Sequence, residues 1–289
     1  MIKIYQVNDI NPELLETQLA SFQKYLREDF EFIVVGNEDM SPDSPDLLLA
    51  KQVREKCAEL GIRTIKTMWD TEIENAWQKN ASLHEYLFGN ERRFRRGKGG
   101  DMFNYTLQWV WQRLMAREKG PVAFIHTDIF LVEPIKLTDY LVDQPLCCVV
   151  QSEPNTNHPE KPRLYHFWEA LLLADPKRLP QPETMCWFPA RVEGTWMDTG
   201  ASTYHYWQAH PDLKMYDIPQ YGCIDDPDVD FHPARYQWFH LGDKKVLHYQ
   251  SGSKWCTDMS YDGCWKFTKE QSDEYHARKL AWARRLIGL

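Results

Sequence analysis

The chain has 289 residues, of which 43% are hydrophobic and 26% charged, with a formal net charge of −8. That length fits one large domain, and a chain of this size buries roughly 75% of its unfolded surface. The acidic balance argues against a nonspecific nucleic-acid or anionic-membrane surface, and no apolar run approaches the ~18 residues of a membrane span.

The amino terminus opens on Ile2-Lys3-Ile4-Tyr5-Gln6-Val7, an alternating, β-forming run read as a first strand. No charged segment followed by an apolar core precedes it, so no secretory leader is expected. Asn8-Asp9-Ile10-Asn11-Pro12 ends the strand, and Pro12 suits the first turn of a helix. Leu14, Leu15, Leu19, Phe22 and Leu26 then recur at helical spacing. Phe30–Val35 reads as a second strand closed by Gly36-Asn37. Leu48, Leu49, Val53, Cys57 and Leu60 mark a second helix capped by Gly61, and residues 63–67 a third strand. This β-α-β-α-β order is the pattern of a mostly parallel, doubly wound sheet, in which ligands sit beyond the carboxyl ends of the strands.

Residues 70–98 are polar and end in the basic run Arg92-Arg93-Phe94-Arg95-Arg96-Gly97-Lys98, which suits either a phosphate site or a solvated loop. A helix is expected from about Gly100 to Lys119, with Phe103, Leu107, Val110, Trp111 and Leu114 on one face, stopped by Gly120-Pro121. Val122–Ile125 is the near-continuous apolar run of a buried central strand. The second half is rich in Pro, Trp and His and lacks clean periodicity, so long loops are expected there.

Three constellations carry chemistry. His126-Thr127-Asp128 follows the buried strand, where polar groups are costly unless they bind something. A carboxylate there either holds a hard divalent cation against phosphate oxygens or caps the next turn. Lys245-Val246-Leu247-His248-Tyr249-Gln250-Ser251-Gly252-Ser253-Lys254-Trp255 delivers an imidazole from a short strand. Its Ser-Gly-Ser turn would let backbone N–H groups approach phosphate, and Lys254 adds a point charge. Gly194-Thr195-Trp196-Met197-Asp198-Thr199-Gly200-Ala201-Ser202 offers an aromatic and a carboxylate on a small-residue turn. Asp198 either works on a ligand or bonds to its own Thr199-Gly200 turn.

The first two segments, in this order and strand context, resemble the GT-A type of nucleotide-sugar-dependent glycosyltransferase, most closely the glycogenin-like group. There an Asp-x-Asp motif and a late His-Tyr-x-Gly-x-x-Lys-Pro-Trp segment hold Mn²⁺ and the donor diphosphate. The resemblance covers about two thirds of the chain by topology and some twenty residues by motif. His126 stands where the motif has its first Asp, and the proline before Trp255 is missing. The resemblance implies a Rossmann-type mixed α/β sheet flanked by helices in a single domain, 1–289. Residues 1–135 would form the nucleotide-binding half and 136–289 the acceptor-binding half. It implies Mn²⁺ or Mg²⁺ held by Asp128 and His248 with His126. Val7, Asn8, Asp9, Lys98, Asp101, Thr127 and Lys254 would meet the donor. Trp196 and Thr199 would meet a glycan or other hydroxyl acceptor. Asp198 would orient the sugar or serve as base, because an alcohol needs its proton taken during attack.

Rival readings remain from other classes. A sugar- or nucleotide-binding module without turnover would keep the scaffold, and metal-independent transfer would put Lys and Arg in place of the cation. Asp198-Thr199-Gly200 also matches the aspartic-protease signature, but a second copy is absent and the first third does not read as all-β. Dinucleotide, ATPase and α/β-hydrolase motifs are absent. Asp225–Asp230 reads as a solvated acidic loop. Seven cysteines without disulfide or zinc-knuckle spacing, Cys256 and Cys264 included, make a reducing, cytoplasmic setting the expectation.

Overall fold

A computed structural model describes residues 1–8, 11–36, 46–76, 99–156, 158–223, 236–249 and 269–289. The elements of the first half are β1 (Ile2–Val7), α1 (Pro12–Tyr25), β2 (Phe30–Gly36), α2 (Asp46–Glu59), β3 (Arg63–Lys66), α3 (Gly99–Arg113), β4 (Val122–Ile125) and β5 (Ile129–Leu131). The second half adds β6 (Leu146–Glu153), β7 (Leu164–Ala174), β8 (Ala190–Val192), β9 (Thr195–Met197), α4 (Thr203–Ala209), β10 (Met215–Asp217), β11 (Gln220–Cys223), β12 (Tyr236–Leu241), β13 (Lys244–His248) and α5 (Lys269–Ile287).

Seven strands form one mixed sheet in the order β10-β6-β7-β4-β1-β2-β3, in which β7 runs against the other six. The α/β frame is the expected one, and it is not the all-β frame that a protease reading of Asp198-Thr199-Gly200 requires. Alternation along β1 and β2 sorts their side chains to two faces. Ile2, Ile4, Phe32 and Val34 pack with Leu15, Phe22 and Val53 of α1 and α2. Tyr5, Val7, Ile33 and Val35 pack with Leu107, Val110 and Trp111 of α3 on the other face. All four residues of β4 are fully buried, as its unbroken apolar run requires.

Local signals explain the helix ends. Pro12 sits in the first turn of α1, with Glu13 near its positive end and Lys24 near its negative end. Gly61 takes φ +68° after α2 and lets Ile62 N return to Cys57 O at 2.8 Å.

Two expectations need correction. The helix expected to reach Lys119 stops at Arg113 and gives way to one 3₁₀ turn, Met115–Arg117. The tighter turn buries Met115 and brings Glu118 back to Lys3 Nζ at 2.7 Å and the Tyr5 hydroxyl at 2.8 Å. The carboxy-terminal half, expected as long loops, contains eight strands among its described residues. Three of them are only three residues long, and most of β7 is covered on both sides, so neither kind shows an alternating pattern.

A second sheet, β11-β12-β13-β5, is antiparallel throughout. Its β5–β13 pairing sets Ile129 opposite His248 and Phe130 opposite Leu247. Phe130, Leu247 and Tyr249 pack with Leu14 of α1 and with Trp282, Ala283 and Ile287 of α5.

The turn after β9 depends on Gly200, whose φ is +87° and whose added Cβ would lie 2.0 Å from Phe167 O. Thr203 Oγ1 ties the same turn to β7, accepting from Phe167 N at 2.8 Å and donating to Gly200 O at 2.6 Å. Gly200→Ala is therefore expected to cost more than about 2 kcal/mol. At Gly61 a new Cβ meets nothing within 4 Å, so Gly61→Ala carries only the left-handed backbone strain, about 1 kcal/mol. Urea unfolding of both variants checks the difference.

Candidate metal centre

The centre is built from two chain segments that the β5–β13 ladder brings together. The turn after β4 carries His126, Thr127 and Asp128, and Ile129 N closes it onto His126 O at 3.3 Å. Asp128 O accepts from Tyr249 N at 2.8 Å, which continues the ladder one residue beyond β13 and fixes His248 beside it. His248 Nε2 lies 3.4 Å from Asp128 Oδ1, and both side chains are nearly sealed from solvent. One ligand atom each from His126, Asp128 and His248 lies within 4.8 Å of the others. Two atoms bound to one ion at 2.0–2.2 Å lie no more than about 4.4 Å apart, so the three need close by no more than a few tenths of an ångström to share an ion.

The rings are held from behind. His248 Nδ1 sits 2.9 Å from Gln237 Oε1, its cross-strand neighbour on β12, which places the proton on Nδ1 and leaves Nε2 for a ligand. Phe239 stacks on the His248 ring at 5.1 Å, and Trp168 meets it edge-on at 5.4 Å. His126 is walled by Phe103 at 5.6 Å and Trp168 at 6.0 Å. Its Nε2 lies 3.1 Å from Glu169 Oε1. Burial presses the His126 imidazole toward neutrality, but the hydrogen bond to Glu169 and the charges of Glu169 and Asp128 outweigh it and raise its pKa.

A polar face on α1 holds the turn from below. Gln18 Nε2 donates to His126 O at 2.8 Å and to Ile129 O at 2.9 Å, and Gln6 Nε2 donates in turn to Gln18 Oε1. Ser21 Oγ accepts from Leu131 N at 3.2 Å. Gln6, Gln18 and Ser21 are fully buried. The sequence reading missed all three, although for Gln18 and Ser21 their place among Leu14, Leu15, Leu19 and Phe22 of one helix was a usable signal. Gln237 and Glu169 carried no such signal, because their partners are fixed only by sheet pairing.

The remaining expected residues fall into three groups. Val7 and Asn8 end β1, where Asn8 is buried and holds the entry to α1: its Oδ1 accepts from Asn11 N at 3.0 Å. Asn11 Nδ2 then donates to Thr127 Oγ1 at 3.2 Å, so β1 and the metal-centre turn are joined. Trp196 lies on β9, and Asp198 and Thr199 on the turn that follows it; none of the three belongs to the His/Asp/His cluster. Thr199 Oγ1 donates to Asn104 Oδ1 of α3 at 2.8 Å, and Trp196 is 37% exposed. Beside them His166 is buried, and neither ring nitrogen has a partner among the described residues. Burial holds its pKa down at about 4, with the Asp198 carboxylate pulling the other way. Asp101 lies in the first turn of α3, while Asp9, Lys98 and Lys254 lie outside the described residues, as do the 92–98 basic run and Asp225–Asp230.

Lys279 of α5 is a further buried charge near this centre, and nothing in the sequence singled it out. It is 1% exposed, with Nζ 4.2 Å from the centroid of the Tyr249 ring. Burial pushes its pKa down to about 7 despite the attraction of Asp128. Between pH 7 and the usual lysine value the unfolded chain binds a proton that the folded chain does not, so stability rises with pH across that window. Lys279→Met removes this burden and is expected to raise apo-protein stability by on the order of 2–4 kcal/mol below pH 7. The gain fades toward pH 10.5. Melting temperatures of both proteins at pH 6.5 and pH 10 check it, and an equal gain at both pH values would count against the titration.

No family model and no curated protein sequence matches the chain. Three similar solved structures are glycosyltransferases or a glycan synthase. Mouse xyloside xylosyltransferase 1, in its apo form, is 10% identical with a TM-score of 0.43, over 75% of this chain and 84% of that one. The galactosyltransferase LgtC, in complex with donor and acceptor sugar analogues, is 13% identical with a TM-score of 0.35, over 74% and 67%. Core-mannan synthase A from Aspergillus fumigatus, in its Mn/GDP form, is 7% identical with a TM-score of 0.41, over 63% and 62%. At these identities and scores the functional reading rests on the residues of the site.

Proposed function

We propose that the chain is a glycosyltransferase of the GT-A type, moving a sugar from a nucleoside-diphosphate sugar to an acceptor hydroxyl with a divalent metal at His126, Asp128 and His248. The observation that carries this reading is the meeting of those three side chains, from two distant segments, at the carboxyl end of β4. Ligands of parallel α/β sheets are expected at that end. Burying the Asp128 carboxylate is unfavourable without a counter-charge, and a cation supplies it.

The residues fit such an ion: one carboxylate oxygen and two imidazoles, with His248 held in the tautomer that presents Nε2. A cation bound there would neutralise charge building on the departing nucleoside diphosphate. The other assignments follow from the resemblance to the GT-A type. Val7, Asn8 and Asp9 belong at the base and ribose, with Thr127 and Asp101 at the phosphates or sugar and Lys98 and Lys254 adding positive charge. Asn8 would serve through the turn it shapes, since its side chain is engaged with Asn11. Trp196 offers an exposed aromatic face to a sugar ring, Thr199 lines the same turn, and Asp198 orients sugar or acceptor. Nearby, Tyr165 and Trp207 flank a 340 Å³ cleft with Arg163 and Glu193 on its walls, a surface suited to the far part of a glycan acceptor. In this reading residues 1–135 bind the nucleotide and 136–289 the acceptor. No helix among the described residues is long and apolar enough to cross a membrane.

Thermal melting against UDP, GDP, CDP and TDP, each with Mn²⁺ or EDTA, tests the donor site. A nucleotide at 100 times its dissociation constant adds about 2.7 kcal/mol, a shift of several degrees. One nucleotide is expected to give that shift with Mn²⁺ and to lose it in EDTA. Asp128→Ala is expected to abolish the metal-dependent shift and to lower sugar transfer by about 100-fold or more. No shift with any nucleotide would sink the reading, and full transfer by Asp128→Ala would remove the metal from it.

A further inference from the structure

Glu169 is a buried carboxylate to which the proposed transfer assigns no task. Its side chain is 2% exposed, and its one ionic partner among the described residues is His126, with Oε1 3.1 Å from Nε2. Its Oε2 is sealed from solvent and has no hydrogen-bond partner among the described residues. Such a group is costly to bury, and the cost is sustained only where the carboxylate fixes something else. What it faces is held with unusual care. His126 N donates to Ala170 O at 3.0 Å, His126 O accepts from Gln18 at 2.8 Å, and the ring is walled by Phe103 and Trp168.

A neutral imidazole that donates Nε2–H to a carboxylate keeps its lone pair on Nδ1. The arrangement at His248 is the mirror case, in which Nδ1–H goes to Gln237 and Nε2 keeps the lone pair. Each ring therefore has one nitrogen tied back and one left to bind, and a ligand atom of each ring lies within 4.8 Å of an Asp128 carboxylate oxygen. This is the carboxylate–histidine–metal arrangement that orients metal ligands and strengthens them as donors.

We propose that Glu169 is the positioning residue that makes His126 a metal ligand through Nδ1, so that the centre offers two imidazole nitrogens and one carboxylate oxygen and selects a first-row transition ion over Mg²⁺. The proposal rests on the reading of this cluster as a metal site. It turns the place of His126, where the resembling family has an Asp, from a loss of a ligand into a change of ligand type. Two nitrogens among three protein ligands suit transition ions, whereas Mg²⁺ favours oxygen.

The test is Mn²⁺ added alone to the full chain, with affinity from continuous-wave EPR, coordinated nitrogens counted by pulsed EPR, and Mg²⁺ as competitor. The wild type is expected to show two imidazole nitrogens and to release Mn²⁺ only to a large excess of Mg²⁺. Glu169→Leu is expected to show one nitrogen and an affinity lower by about tenfold to a hundredfold. Glu169→Gln, which keeps an acceptor for Nε2–H, is expected to restore the second nitrogen and part of the affinity. A residue that merely filled space would not change the nitrogen count. Should Glu169→Leu fail to fold, His126→Asp decides instead: one nitrogen remains, and Mg²⁺ competes nearer to parity. One nitrogen in the wild type, two in Glu169→Leu, or equal binding of Mg²⁺ and Mn²⁺ would each overturn the proposal. A single-nitrogen centre that still gives a metal-dependent nucleotide shift would overturn it and leave the transferase reading intact. No Mn²⁺ binding at all would remove the metal from that reading and this proposal with it.

Discussion

The pairing of β5 with β13 is the constraint on which the site depends. Those two short strands are separated by more than a hundred residues, and their register sets His248 opposite Ile129. A slip of one residue would turn each side chain of β13 to the other face of the sheet. His248 would then leave Asp128, and Val246 and Leu247 would each turn toward the core that the other now fills. The register is held by apolar burial on both faces, with Val246 in the main core and Leu247 in the cluster under α5. Hydrophobic packing thus specifies the position of a polar ligand.

Around that junction the protein buries polar groups in an ordered hierarchy. Gln6 supports Gln18, Gln18 holds the carbonyls of His126 and Ile129, and Ser21 holds the amide of Leu131. The bonds from Gln18 and Ser21 satisfy backbone groups that would otherwise be stranded where β4 ends and the sheet changes, and Gln6 orients Gln18 for that task. Replacing such a network with apolar residues would leave those carbonyls without donors, so its value lies in fixing one conformation of the turn. A site that must hold charges at separations defined to a few tenths of an ångström needs that rigidity more than it needs added stability.

The parts of this architecture that were legible in the sequence share a physical character. β1, β2 and β4 are buried or half-buried strands of four to seven residues, and α1 shows clear periodicity, so the first half could be read directly. Asp128 and His248 stood out because each follows an apolar strand, where a polar residue is conspicuous. The illegible parts depend on non-local pairing. Glu169 sits in the β7 segment where the register with β6 shifts, and its nearness to His126 follows from the antiparallel β4–β7 contact. Gln237 reaches His248 only through cross-strand register. Lys279 looks from the sequence like an ordinary helix-surface lysine, and only the docking of α5 over Tyr249 buries it. The Asp198 turn was visible as a motif, but its dependence on Gly200 is a matter of 2.0 Å between a missing Cβ and a carbonyl on another strand.

The wide spacing of the two halves of the centre also bears on how the protein is made. On a ribosome, β5 emerges about 120 residues before β13, a delay on the order of ten seconds at ordinary rates of synthesis. Throughout that interval Ile129-Phe130-Leu131 is a strand without its partner, continuous with a turn that carries unneutralised charge. An apolar strand with open hydrogen-bonding groups invites wrong neighbours, including the same segment of another nascent chain. Nascent chains of this protein are thus at their most vulnerable while β13 is still being translated. Holding β5 apart until then is a task for the helix already made, α1, whose Gln18 and Ser21 are in position to engage the turn first.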